Sequence, residues 1–209
     1  RQRKHLKTRH VSTLHGKELH DFFSSVVVPR PIAFVSSVNS EGRYNAAPFS
    51  AFTRLTLDPP TVVLAFGRRK GQKKDTVRNI EAVGDFVVNM VDESLAERMN
   101  QAAADYPPEI DEIKEVGLTA IKSDKVKSPR IAEAPLSMEC KLIQTVEFGN
   151  KPNRSTIILG EILVVHIKDE VLTNGKLDPL KAKIIGRLGD GNLYCRTTDT
   201  FSMKRTGTD

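Results

Sequence analysis

The chain predicts a mostly β fold, a closed antiparallel barrel decorated with short helices. Three observations point there. Strand-type patterns follow one another from Ile32 to Lys168. Asn39-Ser40-Glu41-Gly42 is strong hairpin chemistry between two of them. Only two or three short stretches have helical spacing, so the helices decorate a sheet rather than build a bundle. With 209 residues, 39% of them hydrophobic, the chain can bury a real core within one ordinary domain.

In chain order, a helix-like stretch near Lys17 to Ser25 leads into the β-rich run Ile32 to Val38, whose hairpin partner is Tyr44 to Ser50. Asp58-Pro59-Pro60 stops the next strand and starts Thr61 to Phe66. Asp75 is placed to cap a helix running to Val83, with Val77, Ile80 and Val83 on one face and Gly84 at its end. Phe86 to Val91 reads as a buried strand. Asp92 then caps a second helix reaching about Ala103, with Leu95 and Met99 on one side. Residues 104–116 are acidic and contain Pro107-Pro108, which predicts a loop with a helical turn. The longest strand patterns, Leu136 to Phe148 and Ser155 to Lys168, flank the connection Gly149-Asn150-Lys151-Pro152-Asn153.

The net charge of +6 suggests nucleic acid, but its distribution argues against that. Arg1, Arg3, Lys4, Lys7, Arg9 and Lys17 supply six of the 32 cations, which leaves 26 bases against 26 acids in the remainder. The expected organisation is a basic arm over residues 1–17 and one domain over 18–209. No stacking or groove-reading module follows the arm, so nucleic-acid binding is the rival from another class and not the main reading. Cys140 and Cys195 have no metal-type spacing and fit a reducing, cytoplasmic setting. The longest aliphatic stretch, Ile157 to Val165, is interrupted by Glu161 and falls short of the roughly 20 residues of a membrane span.

Several chemistries find no support. His5, His10, His15 and His20 recur at a spacing that keeps no common helical face, and His166 alternates with Val165 and Ile167 as a sheet residue would. There is no Gly-x-Gly-x-x-Gly after a strand, no P-loop ending and no Gly-x-Ser-x-Gly elbow. The informative stretch is Pro31 to Thr76. Its loop Gly67 to Thr76 carries five cations in the seven positions Arg68 to Lys74 and then enters a helix start. Cations, a Thr76 hydroxyl and a helix N-terminus together suit a phosphate, although an exposed basic loop could carry the same pattern.

Asn45-Ala46-Ala47-Pro48-Phe49-Ser50 combines small residues with side-chain donors and acceptors. It suits the polar edge of a planar ring, and it equally reads as a strand with a Pro-marked bulge. Flavin mononucleotide (FMN) makes both demands at once. Its phosphate wants Arg68, Lys73, Lys74 and Thr76, and its pyrimidine edge wants backbone donors and amides.

PRPIAFVSSVNSEGRYNAAPFSAF, DPPTVVLAF and KDTVRNIEAVGDFVVNMV, with LGEILVVHIKD and RLGDGNLYCRT further on, resemble the flavin reductase-like domain of the FMN-binding split-barrel superfamily. The resemblance runs from about Val28 to Tyr194 and is strongest to the branch containing the reductase component of nitrilotriacetate monooxygenase. It implies a six-stranded antiparallel split barrel and a homodimer with FMN near the subunit interface. It also implies hydride transfer from NADH or NADPH to flavin, with a partner monooxygenase taking the reduced product. By this resemblance Asn45, Ala46, Ala47, Pro48 and Ser50 line the isoalloxazine. Ala65, Phe66 and Gly67, with Lys74, Asp75 and Thr76, border the ribityl chain and phosphate, next to the Arg68 that the loop's charge already marks as a phosphate residue. Arg187 and Tyr194 match positions near the site. The segment Arg68-Arg69-Lys70-Gly71-Gln72-Lys73 is more cationic than the branch leads one to expect. No catalytic acid or base is implied, because the cofactor carries the chemistry. A tightly FMN-bound electron carrier without NAD(P)H activity is the alternative on the same fold.

Overall fold

The structure is a computed structural model that describes residues 7–152 and 154–207; positions 1–6 of the basic arm, Asn153 and the last two residues lie outside it. A 3-10 turn at Val11–Thr13 precedes α1, Gly16–Val26. Then come β1 (Arg30–Pro31), β2 (Ala33–Val38), β3 (Tyr44–Phe49), β4 (Phe52–Leu57) and β5 (Pro60–Phe66). Helix α2, Asp75–Val83, leads to β6, Asp85–Met90, followed by α3 (Ala96–Gln101) and α4 (Glu112–Glu115). Two short strands, β7 (Ala120–Ile121) and β8 (Arg130–Ile131), precede the long pair β9 (Leu136–Phe148) and β10 (Ser155–Ile167). The chain ends through β11 (Leu172–Thr173), β12 (Lys176–Leu177), α5 (Pro179–Ala182), β13 (Ile185–Arg187) and β14 (Tyr194–Arg196).

The main sheet has seven strands in the order β3-β2-β6-β9-β10-β5-β4, each antiparallel to its neighbours. Its two edges, β3 and β4, are consecutive in the chain and joined only by Ser50 and Ala51. Such a sheet has to curl until its edges meet. No ladder joins those edges among the described residues, so the barrel is split there. This corrects the expected count of six strands. At Ser50-Ala51 the run leaves β2 and joins β5, so Tyr44 to Leu57 forms two strands on opposite edges. The register of β2 on β3 is continuous through Phe34 opposite Pro48, so Pro48 marks an edge and no bulge.

Strand β2 is buried on both faces and separates two cores. Ala33 and Val35 face the barrel interior with Phe66, Phe86 and Ile158, closed over by Val77 and Ile80 of α2. Phe34 faces an outer core with Leu95, Met99, Ile113 and Ile185. Each of these large side chains contributes roughly 1.5–3 kcal/mol by leaving water. Gly160 is required by the interior packing. A Cβ there would collide with the buried Phe86 ring, whose Cε1 lies 2.8 Å from the Cβ position.

The helix starts differ in detail from expectation. Lys74, not Asp75, is the N-cap of α2, and no side chain caps it. Asp75 is the first helical residue and pairs with Arg78, while remaining well placed against the helix dipole. Gly84 ends the helix at φ 85°, where a side chain would be strained. Asp92 does cap the turn before α3, accepting from Leu95 N at 3.0 Å, and the expected turn in the acidic loop is α4, capped by Asp111. His166 is a sheet residue satisfied by the buried Glu139 at 2.7 Å. No helix among the described residues is long and apolar enough to cross a membrane.

Candidate functional site

Where the barrel splits, the β3–β4 joint, the end of β5, the head of α2 and the small β1-β13-β14 sheet converge. Three cavities of about 840, 430 and 380 Å³ lie there, and all three are lined by Arg68 and Arg187. Each is within the roughly 300–1,000 Å³ range of small-molecule sites.

The middle cavity is bordered by Pro48, Ser50, Ala65, Gly67 and Lys74, with Met99, Arg187 and Tyr194 opposite. The cavity nearest α2 takes Asn45, Ala47, Asp75 and Thr76, faced by Ala102, Ala103 and Ala104. Lys73, expected at the phosphate, is drawn off to Glu81 and Glu147 and lines neither cavity, and Ala46 and Phe66 line neither as well. The latter two are core residues: Phe66 stacks edge-on against Phe49, and Ala46 packs beneath β3. Alternation turns Phe66 away from the side that Ala65 lines, and Ala46 away from that of Asn45 and Ala47.

Asn45 is buried and its amide is held from both ends. Its Nδ2 donates to Glu112 Oε1 at 2.6 Å, and its Oδ1 accepts from Thr76 at 2.8 Å and from Ser37 at 3.3 Å. The Thr76 hydroxyl is therefore committed to Asn45 within the protein. Glu112 also accepts from Ala46 N at 3.2 Å, on the side of β3 turned away from β2. Burial raises the Glu112 pKa, opposed by the hydrogen bonds it accepts. Sequence reasoning missed Glu112, which lies 67 positions from Asn45 in a segment read only as an acidic loop with a helical turn.

The cationic loop is largely neutralised by carboxylates brought from elsewhere. Arg68 pairs with Glu147, Arg69 with Asp105, and Lys73 with both Glu81 and Glu147. These acids explain how the loop tolerates so many like charges. Two cations of the loop stay unpaired among the described residues, the exposed Lys70 and Lys74, and only Lys74 is withdrawn from solvent. Half-buried, it forms no ion pair among the described residues, and its ammonium sits 5.0 Å from the centre of the Phe49 ring. Burial lowers its pKa, with help from Arg69. An unpaired ammonium at the head of a nine-residue helix is matched to an anionic group in the cleft. Small residues along β3 leave room for a flat ring beside it. The residues present therefore fit a phosphorylated planar cofactor.

Arg187 and Tyr194 pack together, the guanidinium 5.9 Å from the ring centre. Sequence reasoning did not place α1 at the site, yet Gly16, Leu19, His20 and Phe23 line the largest cavity. The sequence marks α1 only as a helix-like stretch; its docking place depends on the whole fold.

Residues 24–181 match the flavin reductase like domain. An uncharacterised protein of Aquifex aeolicus is 37% identical over 191 residues, covering 90% of this chain and 95% of its own. Nitrilotriacetate monooxygenase component B of Bacillus cereus superposes with a TM-score of 0.91 at 30% identity, covering 96% of this chain and 100% of that one. The 2-nitrobenzoate 2-nitroreductase of Pseudomonas fluorescens superposes with a TM-score of 0.86 at 36% identity, covering 97% and 98%.

Proposed function

The chain belongs to the flavin reductase-like domain family, and we propose that it binds FMN and uses NADH or NADPH to reduce flavin for a partner monooxygenase. The observation that carries this reading is the unpaired, half-buried Lys74 at the start of α2, sharing one cleft with the small-residue edge Ala47–Ser50. When bound, the flavin supplies the electron chemistry by accepting a hydride. The chain's own residues bind, orient and exclude water. Lys74 and the free N–H groups of α2 hold the phosphate. Pro48 and Ala47 let the ring approach the backbone, with Met99 and Tyr194 as the far wall. Arg187 supplies positive potential beside the ring, where negative charge accumulates on reduction. Glu112 is engaged by Asn45 and Ala46, so it positions β3 and is not available as an acid or base.

A homodimer belongs to the same proposal. Leu55, Leu57, Ile143, Leu163 and Val165 are large apolar residues left 40–76% exposed on β4, β9 and β10, which supports cover by a second copy. A second reading concerns the acceptor. The likeness to the P. fluorescens nitroreductase favours electrons going directly to an aromatic compound.

The test is to follow NADH and NADPH oxidation by the purified protein, with and without added FMN. Flavin-dependent oxidation is expected. A yellow protein that stays oxidised in both nucleotides supports the electron-carrier alternative, and a colourless protein that binds no FMN overturns the proposal.

A further inference from the structure

Arg30 and Arg187 are direct cross-strand partners in the pairing of β1 with β13. Like charges directly opposite one another destabilise a sheet, so this pairing needs a compensating partner. Among the described residues neither guanidinium has a carboxylate partner. Arg30 is held entirely by neutral oxygens: Ser50 Oγ at 3.3 Å, Gly189 O at 2.8 Å, and the carbonyls of Ser24 and Val27. Arg187 donates to Gly191 O at 3.1 Å, while its Nε is buried with no partner. The nearby carboxylate of Asp190 is engaged by Lys17 at 3.2 Å and faces His20 at 3.7 Å. Burial and then the neighbouring Arg187 lower the Arg30 pKa, and the Asp190 carboxylate offsets this only in part.

Both arginines line the cavity of about 840 Å³ under α1, whose Leu19 and Phe23 give it an apolar side. That cavity is continuous with the proposed flavin cleft through Ser50, Gly67 and Arg68. Arg68 is already matched by Glu147. The uncompensated charge in the cavity is therefore concentrated on the opposed pair.

We propose that Arg30 and Arg187 form a binding site for the anionic group, phosphate or carboxylate, of the second substrate that meets the flavin from the α1 side. This rests on the flavin reading for the identity of the neighbouring cleft. The chemistry is fork-like pairing of guanidinium with an oxyanion, which also relieves the repulsion across the strands. A nicotinamide dinucleotide offers the oxyanion as phosphate, and an aromatic acceptor acid offers it as carboxylate.

The experiment is thermal unfolding of the FMN-loaded protein at constant ionic strength, titrated separately with pyrophosphate and benzoate. The parent should be stabilised by at least one of them. Arg187→Met should weaken that anion's apparent affinity at least tenfold, and Arg187→Lys, which keeps the charge but loses the fork, at least threefold. Without added anion, Arg187→Met should melt no lower than the parent, because the like-charge opposition is gone. Stronger protection by pyrophosphate assigns the site to the dinucleotide, and stronger protection by benzoate assigns it to a carboxylate acceptor. An anion response unchanged within twofold in Arg187→Lys overturns the proposal, as does absence of any response in the parent. It is also overturned if anion binding to flavin-free protein is abolished by FMN but not by riboflavin, since the pair would then hold the flavin's own phosphate. FMN titration of the parent separately decides the flavin reading. A protein that responds to anions but binds no FMN retains this site and loses that reading.

Discussion

Lys74 is held between two opposing demands. Its half-burial disfavours the ammonium, and the positive Arg69 nearby disfavours it further, so its pKa lies below the ordinary lysine value of 10.5. The Phe49 ring face, 5.0 Å away, returns roughly 0.5–2 kcal/mol. With the folded-state pKa depressed, the unfolded chain holds more protons between the two values. The cost of burying the charge is present at neutral pH and is relieved as pH rises toward 10.5. A bound phosphate reverses this by favouring the ammonium. Lys74→Ala is therefore expected to weaken FMN at least tenfold, about 1.4 kcal/mol, with riboflavin affinity unchanged in a fluorescence titration. In the parent, the preference for FMN over riboflavin should decline before pH 10.5, whereas Lys74→Arg should hold it flat across that range. Equal affinity of the parent for FMN and riboflavin would remove phosphate from this position.

At the scale of elements, β3 is an edge strand whose outer side is managed by two devices. Pro48 presents no N–H there, and Glu112 from α4 accepts the N–H of Ala46. The short helix α4 is itself fixed by Asp111, which accepts from Lys114 N at 3.2 Å. Truncation by Glu112→Ala leaves both Asn45 Nδ2 and Ala46 N without this acceptor in a buried setting. At about 1–3 kcal/mol per orphaned group, a loss of roughly 2–6 kcal/mol is expected in urea unfolding at neutral pH. The freed Asn45 amide should also shift the visible spectrum of bound flavin. A variant within 0.5 kcal/mol of the parent, taken as about the scatter of neutral surface changes, would show that Glu112 holds nothing there. The elements themselves were readable from periodicity, as in Val77, Ile80 and Val83 of α2, with Gly84 closing it. The α4–β3 tie was not readable, because its partners are far apart in sequence and a lone Glu in an acidic loop has no distinguishing pattern.

For the whole molecule, the decisive feature is the two-residue joint Ser50-Ala51 between the edges of a seven-stranded sheet. It forces closure and places the end of β5 beside the end of β3, which brings Gly67 and Lys74 to Pro48. The outer surface of the curled sheet retains the exposed Ile143, Leu163 and Val165. Under the homodimer proposal, Val165→Asp places an unpaired charge in an apolar contact. Sedimentation should then show a dimer in the parent and a monomer in the variant; a monomeric parent removes the dimer from the proposal.

The sequence by itself determined the mostly β class, the β2–β3 hairpin and the limits of α1 and α2 to within a residue, whereas α3 starts later than expected; ten of the twelve named residues line the cavities where the barrel splits. Hairpin turns, caps and alternation act over a few positions, so their signals are local and survive without context. The charge balance of the cationic loop was decided only by the tertiary structure. Arg68 and Lys73 find Glu147, a partner more than 70 positions away, while Lys74 is left free among the described residues. The opposition of Arg30 and Arg187, 157 positions apart, likewise exists only once β1 pairs with β13. Electrostatics and sheet register depend on distance in space, and the fold alone sets that distance.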